Sequence, residues 1–336
     1  MSVHPPLFPL GNAERWLSYL EHCLGWDAPA LAAAKKLVER RLIPVVTGSE
    51  IALFLGVSRR LVGHMVAEPW RYYRAFSIKK RSGEFRQITA PRVFLKTVQR
   101  YILDCILNQI PTHRAAVGFK PKCSVVDGAR LHVGQPFLWN IDVKDFFPSI
   151  TQGRVIRVFM DSGFPEEAAR FLARLCCLNG VLPQGAPTSP AISNLVFLAL
   201  DEALARAASD AGTRYTRYAD DMTFSSGKPI GQDFRLQVTR LLNCSGFQLN
   251  TQKSRLMGPL TRREVTGLTV NERVSVPRLM RRNLRARFYQ VSLNPGAFSG
   301  QKEVLNGYAL WLHQYHPAEA GRYKAIVERI PSEAQI

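Results

Sequence analysis

Two adjacent carboxylates, in Tyr218-Ala219-Asp220-Asp221, stand between Tyr215-Thr216-Arg217-Tyr218 and Met222-Thr223-Phe224. β-Branched and aromatic residues favour pleated strands, so the pattern predicts a hairpin with the aspartates at its tip. Paired acids there suit divalent metals, as a nucleotidyl-transfer site requires, although Asp is also an ordinary turn residue. A third carboxylate comes from Leu138-Trp139-Asn140-Ile141-Asp142-Val143-Lys144-Asp145-Phe146-Phe147, where an apolar run predicts a buried strand ending at Asp142. An acid leaving a core strand is the plainer account of that residue. Such carboxylates could hold two Mg²⁺ ions about 3.5–4 Å apart, activating a 3′ hydroxyl, stabilising the leaving oxygen and clamping phosphates. Mg²⁺ prefers a few carboxylates plus substrate phosphates, so no protein cage is needed. Between the acids, Leu182-Pro183-Gln184-Gly185-Ala186-Pro187-Thr188-Ser189-Pro190 reads as a loop opening a helix, with Ser189 as cap and Pro190 in the first turn. It is otherwise an ordinary Pro/Gly connection.

Acid strand, Leu-Pro-Gln-Gly loop and Tyr-x-Asp-Asp hairpin, in that order and spacing, resemble the palm of reverse transcriptases. The resemblance implies metal ligation by Asp142, Asp220 and Asp221, with the backbone oxygen of Val143 as a further ligand. It also implies that Phe147, otherwise a core aromatic, is the steric gate against a ribose 2′ hydroxyl. Gln184 and Gly185 would line the nucleotide and template site. In Ile78-Lys79-Lys80-Arg81-Ser82-Gly83-Glu84-Phe85-Arg86, basic residues flank a Ser-Gly turn. This resembles the fingers hairpin that grips the incoming triphosphate, here with Lys79 and Arg86; a solvated edge would carry the same charges. Leu249-Asn250-Thr251-Gln252-Lys253 resembles a later palm motif, which would make Lys253 the proton donor to the leaving pyrophosphate rather than a surface lysine.

Two segments narrow the resemblance to bacterial retron reverse transcriptases. Val265-Thr266-Gly267 matches their Val-Thr-Gly signature, and their Asn-Ala-x-x-His element appears as Gly128-Ala129-Arg130-Leu131-His132, with Gly in place of Asn. Ala129 and His132 carry over; His132 also reads as an ordinary half-buried histidine. The resemblance spans roughly residues 50 to 330. It implies a cognate structured non-coding RNA as partner, priming from a guanosine 2′ hydroxyl, deoxynucleotide substrates, and a product of branched RNA joined to single-stranded DNA. It further implies a part in defence against phage through a separate effector protein. The alternatives are another bacterial reverse transcriptase, of group II intron or defence-associated type, and a helix-turn-helix DNA-binding regulator.

The last alternative rests on Ala52, Gly56, Val57 and Ser58 followed by Arg59, Arg60, Leu61 and Val62, which resemble two short helices about a glycine turn. Thr47-Gly48-Ser49-Glu50 makes a capping box before the first of them. The fold class expected is α+β, a right-hand polymerase with fingers, palm and helical thumb. Residues 1–70 form a helical N-terminal region, 71–135 the fingers, 136–260 the palm, and 261–336 the primer grip and thumb. The fingers include a helix with Phe94, Val98, Tyr101, Ile102 and Cys105 on one apolar face.

Charge rises toward the end of the chain. Ten Lys or Arg residues lie between Lys253 and Arg287, against Glu264 and Glu272. Arg278, Arg281, Arg282 and Arg285 recur at helical spacing and would line one face with guanidinium groups suited to RNA phosphates, unless they are merely a solvated face. The retron resemblance places Ala129, His132, Val265, Thr266 and Gly267 with them as RNA-binding positions. Tyr308, Trp311 and Tyr315, at helical spacing, read as core rather than as base-stacking residues.

The whole chain of 336 residues carries a net charge of +19 and a pI near 10.1, which implies a phosphate-rich partner. No stretch is apolar enough to span a bilayer, and the amino terminus lacks a secretory pattern. The six cysteines show no Cys-x-x-Cys pair and read as reduced thiols of a cytoplasmic protein. His313 and His316 read as a helix surface.

Overall fold

The computed structural model describes residues 13–79, 83–121 and 123–331. Residues 1–12 of the expected N-terminal region, and Lys80, Arg81 and Ser82 of the expected fingers turn, lie outside the described residues.

Helices α1 (Ala13–Leu24) and α2 (Ala28–Glu39) come first; Asp27 caps α2 by accepting from the Ala30 N–H. The glycine-turned pair follows as α3 (Glu50–Leu55) and α4 (Arg59–Ala67), with Gly56 at φ 63°. The Glu50 carboxylate accepts from the Thr47 N–H at 3.2 Å, as the capping box requires, whereas the Thr47 hydroxyl donates to that same carboxylate at 3.0 Å, so half of the expected box forms. Ile51, Phe54, Val62 and Met65 are buried in the main core.

β1 (Tyr73–Lys79) and β2 (Phe85–Pro91) pair antiparallel, placing Ile78 opposite Arg86. α5 (Val93–Cys105) buries Leu95, Val98, Gln99, Tyr101 and Ile102. Phe94, expected on that face, is 65% exposed, because a stripe stepping by three and four residues from Leu95 turns it to the edge.

After α6 (Val125–Arg130) comes β3 (Phe137–Asp142), the strand expected before the first acid. Helices α7 (Gln152–Asp161), α8 (Glu166–Cys176), α9 (Ser189–Val196) and α10 (Leu198–Asp210) separate it from β4 (Arg214–Tyr218) and β5 (Asp221–Ser226). α11 (Gln232–Cys244) then leads to β6 (Arg255–Met257). The strands form one antiparallel sheet in the order β4-β5-β3-β6. Strand alternation sends Trp139, Ile141, Met222 and Phe224 into the main core, leaving Leu138, Asn140 and Asp142 on the opposite face.

A small hairpin of β7 (Glu264–Val265) and β8 (Leu268–Thr269) leads to α12 (Arg278–Leu293), α13 (Lys302–His313) and α14 (Pro317–Glu328). These helices have their own core, in which Phe288 stacks on Tyr323 with ring centroids 4.0 Å apart. Tyr308, Trp311 and Tyr315 pack against it as expected. His316, expected on a surface, is buried where α14 begins, its Nε2 2.9 Å from Ser275 Oγ. The six cysteines are free, and among the described residues no helix is long and apolar enough to cross a membrane. Helical layers around antiparallel sheets give the expected α+β class.

Candidate active site

The register of the central sheet brings the acids together. Asp142, the last residue of β3, lies directly opposite Asp221, the first residue of β5. A two-residue turn, Ala219-Asp220, joins β4 to β5 with Ala219 at φ 57°. A positive φ in the first turn position matches the twist of a tight hairpin but usually calls for glycine, so the tip is held by its surroundings. Part of that hold is the Val143 N–H, which donates to the Asp220 carbonyl at 3.0 Å.

Crowding shows in proton affinity. The Asp221 carboxyl is pushed up to about 7, first by burial and then by the neighbouring charges of Asp220 and Asp142. Asp220 is raised by burial and by Asp142, while Lys253 and Arg86 pull it back. Three oxygen donors that repel one another suit a hard divalent cation. Among the described residues, however, no three His, Cys, Asp or Glu side chains are placed to enclose a metal by themselves.

Lys253 closes the short helical turn Thr251–Lys253 just before β6. Its Nζ donates to both oxygens of Asp142, at 3.0 and 3.2 Å, so a cation already faces that carboxylate. Arg86 acts on Asp220 from β2, whereas Lys79 is exposed at the end of β1 opposite Phe85.

The Gln184-Gly185 loop docks directly on the β1–β2 hairpin. The Thr89 N–H donates to the Gln184 carbonyl at 2.8 Å, and Gly185 has φ 131°. A Cβ at Gly185 would lie 2.9 Å from Ile88 Cγ2 and 3.0 Å from the Thr89 carbonyl oxygen, so glycine is required there. Ser189 is not the cap: its hydroxyl donates to the Pro183 carbonyl, and Thr188 occupies the position before α9. Pro190 does sit in the first turn of α9.

Phe147, five residues after Asp142, is half-buried. Its ring centroid is 5.2 Å from Phe146 and 6.4 Å from Phe119, which in turn is 5.7 Å from Tyr218. Phe119 carries a positive φ of 59°, and nothing in its local sequence singled it out.

The two retron markers form one unit under the sheet. Ala129, Leu138, Val265 and Leu268 share a small core. His132 bridges β4 and β5 from behind, with Nδ1 2.7 Å from Ser225 Oγ and Nε2 2.8 Å from Thr216 Oγ1. Ala129, His132 and Val265 are buried, which corrects the expectation that they meet RNA directly: their contacts are to the sheet. Thr266, at φ 48°, and Gly267, at φ 81°, make the turn, with Gly267 exposed. The glycine in place of the expected Asn also has a reason, since a Cβ at Gly128 would meet Val117 Cγ2 at 2.7 Å.

Burial holds the His132 imidazole down at about 3, from an ordinary value of 6.5, with Arg214 adding to the effect. A neutral ring donates through one nitrogen and accepts through the other, which suits its two hydroxyl partners. Its native value is depressed, so its contribution is complete above 6.5 and is lost as pH falls toward 3, where only the unfolded chain is readily protonated. We expect His132→Asn to abolish that part of the acid sensitivity, which would be about 2 kcal/mol between pH 7 and pH 5. Denaturant unfolding of both proteins at those two pH values measures it. Equal losses would assign the acid sensitivity to other groups.

On α12, Arg278, Arg282 and Arg285 are exposed. Arg281 is tied to Glu319 Oε2 at 2.7 Å, and Arg285 lies 3.6 Å from Oε1 of the same carboxylate. With Arg262, Thr269 and Ser275 these arginines line a cleft of about 500 Å³ at the foot of the helical segment. The free basic face is therefore narrower than the sequence suggested.

Fold and site together define a polymerase of the right-hand class. Residues 78–271 match the family model described as reverse transcriptase (RNA-dependent DNA polymerase). The chain is 35% identical over 299 residues to the Retron Mx65 reverse transcriptase of Myxococcus xanthus, covering 82% of this chain and 70% of that protein. It is 33% identical over 247 residues to the Retron Ec86 reverse transcriptase of Escherichia coli, covering 71% and 74% respectively. The chain belongs to the reverse transcriptase family, as a bacterial retron-type member, and is a metal-dependent RNA-directed DNA polymerase. A solved telomerase from Candida albicans is similar at a TM-score of 0.44 and 12% identity, covering 68% of this chain and 51% of that one, too slight a likeness to bear on function.

Proposed function

We propose that this polymerase copies a cognate structured non-coding RNA, starting from a guanosine 2′ hydroxyl within that RNA, and leaves single-stranded DNA branched from it. The proposal extends to action in anti-phage defence with a separate effector protein. Its main support is the packing of both retron markers against β3 and the catalytic hairpin, so that features distinctive of the subgroup abut the site of chemistry.

In this reading Asp142, Asp220, Asp221 and the Val143 carbonyl hold two Mg²⁺ ions, which when bound would activate the attacking hydroxyl and neutralise charge on the phosphates. Arg86 and Lys79 take the triphosphate, Gln184 and Gly185 line the base and template side, and Phe147 lies under the sugar. Lys253 leaves Asp142 and delivers a proton to the departing pyrophosphate; its exposed ammonium and flexible stem permit that exchange. Residues 1–70, 71–135, 136–260 and 261–336 serve as N-terminal region, fingers, palm, and primer grip with thumb. Arg278, Arg281, Arg282 and Arg285, with Thr266 and Gly267, would bind the folded RNA, Arg281 and Arg285 after exchanging Glu319 for phosphate.

The decisive experiment supplies the RNA encoded beside the gene, deoxynucleotides and Mg²⁺, with no primer. DNA joined to RNA through a 2′,5′ linkage is expected, visible as a mobility shift on treatment with RNase and then a debranching enzyme. Because positioning supplies much of the rate, mutating the branch guanosine should suppress product by roughly a hundredfold or more. A product grown from a 3′ end and indifferent to debranching would remove the branch-priming reading.

A further inference from the structure

Behind the Asp220-Asp221 turn lies a buried polar group that the chemistry described so far does not use. Arg217 and Asp201 are both fully buried and form a two-pronged ion pair. Arg217 Nε donates to Asp201 Oδ1 at 2.8 Å, and its NH2 group donates to Oδ2 at 2.6 Å. The Tyr215 hydroxyl gives Asp201 Oδ1 a further bond at 2.8 Å, and the guanidinium lies over the Phe197 ring. Burying such a pair costs desolvation that an apolar cluster of similar volume would avoid, so stability alone does not account for it.

The remaining arm of Arg217 suggests what it does. NH1 donates to the Ala219 carbonyl, the peptide that precedes Asp220, and to Asn194 Oδ1, both at 3.1 Å. Asn194 in turn donates through Nδ2 to the Gly118 carbonyl at 2.9 Å, the peptide that precedes Phe119. Backbone bonds run alongside: the Arg217 N–H donates to Ala115, and the Val117 N–H donates to Arg217. Contact between the two segments has no slack, since a Cβ on Gly118 would lie 3.0 Å from both Ala219 N and Tyr218 Cγ. Ala219 and Phe119 both hold positive φ angles, conformations that persist only where surroundings over-determine them.

We propose that Asp201, Arg217 and Asn194 are positioning residues that lock the carboxylate turn and the aromatic wall of the nucleotide pocket to one another. One end of the cluster fixes Ala219 and hence Asp220 and Asp221. The other fixes Gly118 and hence the Phe119 ring that backs Phe147. Metal geometry and sugar fit are thereby set by a single rigid element rather than independently. This rests on the roles proposed above for the aspartates and for Phe147.

The test uses Asn194→Ala, which keeps the ion pair and the Arg217–Ala219 bond but removes the bonds that join Arg217 to Gly118 through Asn194, and the double variant Asp201→Leu/Arg217→Met, which replaces the pair by apolar groups of similar volume. For each, measure Mn²⁺ affinity by electron paramagnetic resonance, kcat and KM for a deoxynucleotide on an annealed primer, and the ratio of deoxy to ribo incorporation. Either variant, if folded, should weaken Mn²⁺ binding and lower deoxynucleotide kcat/KM by roughly tenfold to a hundredfold. Its sugar discrimination should fall in the same protein. A merely structural role would lower melting temperature and active fraction while leaving Mn²⁺ affinity, KM and the sugar ratio unchanged, and that result overturns the proposal. Phe147→Ala is run in parallel: if its own sugar ratio does not move, the gate reading fails, and Mn²⁺ affinity and KM still decide the cluster.

Discussion

Asp220→Ala and Asp221→Ala should each reduce DNA synthesis by at least about a thousandfold, because metal charge stabilisation is worth several kcal/mol and each 1.36 kcal/mol is tenfold in rate. The two residues occupy the turn and the first position of β5, facing Asp142 across the ladder. Removing one of three crowded like charges relieves repulsion, so in the absence of metal neither variant should melt below the wild type. Adding Mg²⁺ should raise the melting temperature of the wild type by mass action and leave that of the variants nearly unchanged. RNA binding should survive, since the basic face lies on α12, outside the sheet that carries the acids. Primer extension on a generic RNA template, a thermal melt with and without Mg²⁺, and an RNA-binding isotherm are the measurements. Substantial synthesis by both variants, together with an unaltered Mg²⁺ shift, would move the metal site elsewhere.

Phe147→Ala is expected to admit ribonucleotides, cutting the preference for deoxy substrates by roughly one to two orders of magnitude. A ring beneath the sugar excludes a 2′ hydroxyl by volume; removing the ring opens that space without touching the acids. The side chain is half-buried against Phe146 and Phe119, so some stability is lost too, and Phe147→Val keeps more of the packing. Steady-state incorporation of matched ribo and deoxy substrates reads the ratio. An unchanged ratio in an active, folded variant would make Phe147 a packing residue.

What the sequence disclosed was mostly local. β-Branched and aromatic residues on either side of Asp220 and Asp221 announce a hairpin, and the apolar run before Asp142 announces a buried strand; both are read from residue type within a few positions. Capping is equally local but ambiguous: Ser189 had the right type, yet the loop folded so that its hydroxyl meets the Pro183 carbonyl. Phe94 lay one position off the buried stripe, and four apolar neighbours at helical spacing disguised that. The Arg217 cluster is tertiary, drawn from α9, α10 and β4, and an arginine in a strand carries no mark of burial. One signal was available. Asp201 shares a helical stripe with Phe197, Leu204 and Ala208, and an acid on a stripe that must be buried requires a cation opposite it. Ala129, His132 and Val265 misled in another way. A family marker can be fixed by packing beneath a site as readily as by contact with substrate, and type and spacing do not distinguish the two.

The strand order β4-β5-β3-β6 also sets a timetable for the newborn chain. β3 leaves the ribosome first yet belongs in the interior of the sheet, and both of its neighbours are still to be made. Lys253, which neutralises Asp142, follows that residue by 111 positions. β6 follows Lys253 almost at once and closes the last open edge of β3. Until β5 is made the strand has two unpaired edges and until β6 is made it keeps one, and an unpaired edge is what lets half-made sheets capture one another. Translation that stops before Met257 would thus release a fragment prone to aggregate, with no weakly active polymerase among the products. Synthesis rate across the segment between β3 and β6 becomes a determinant of yield, separate from anything the finished active site requires.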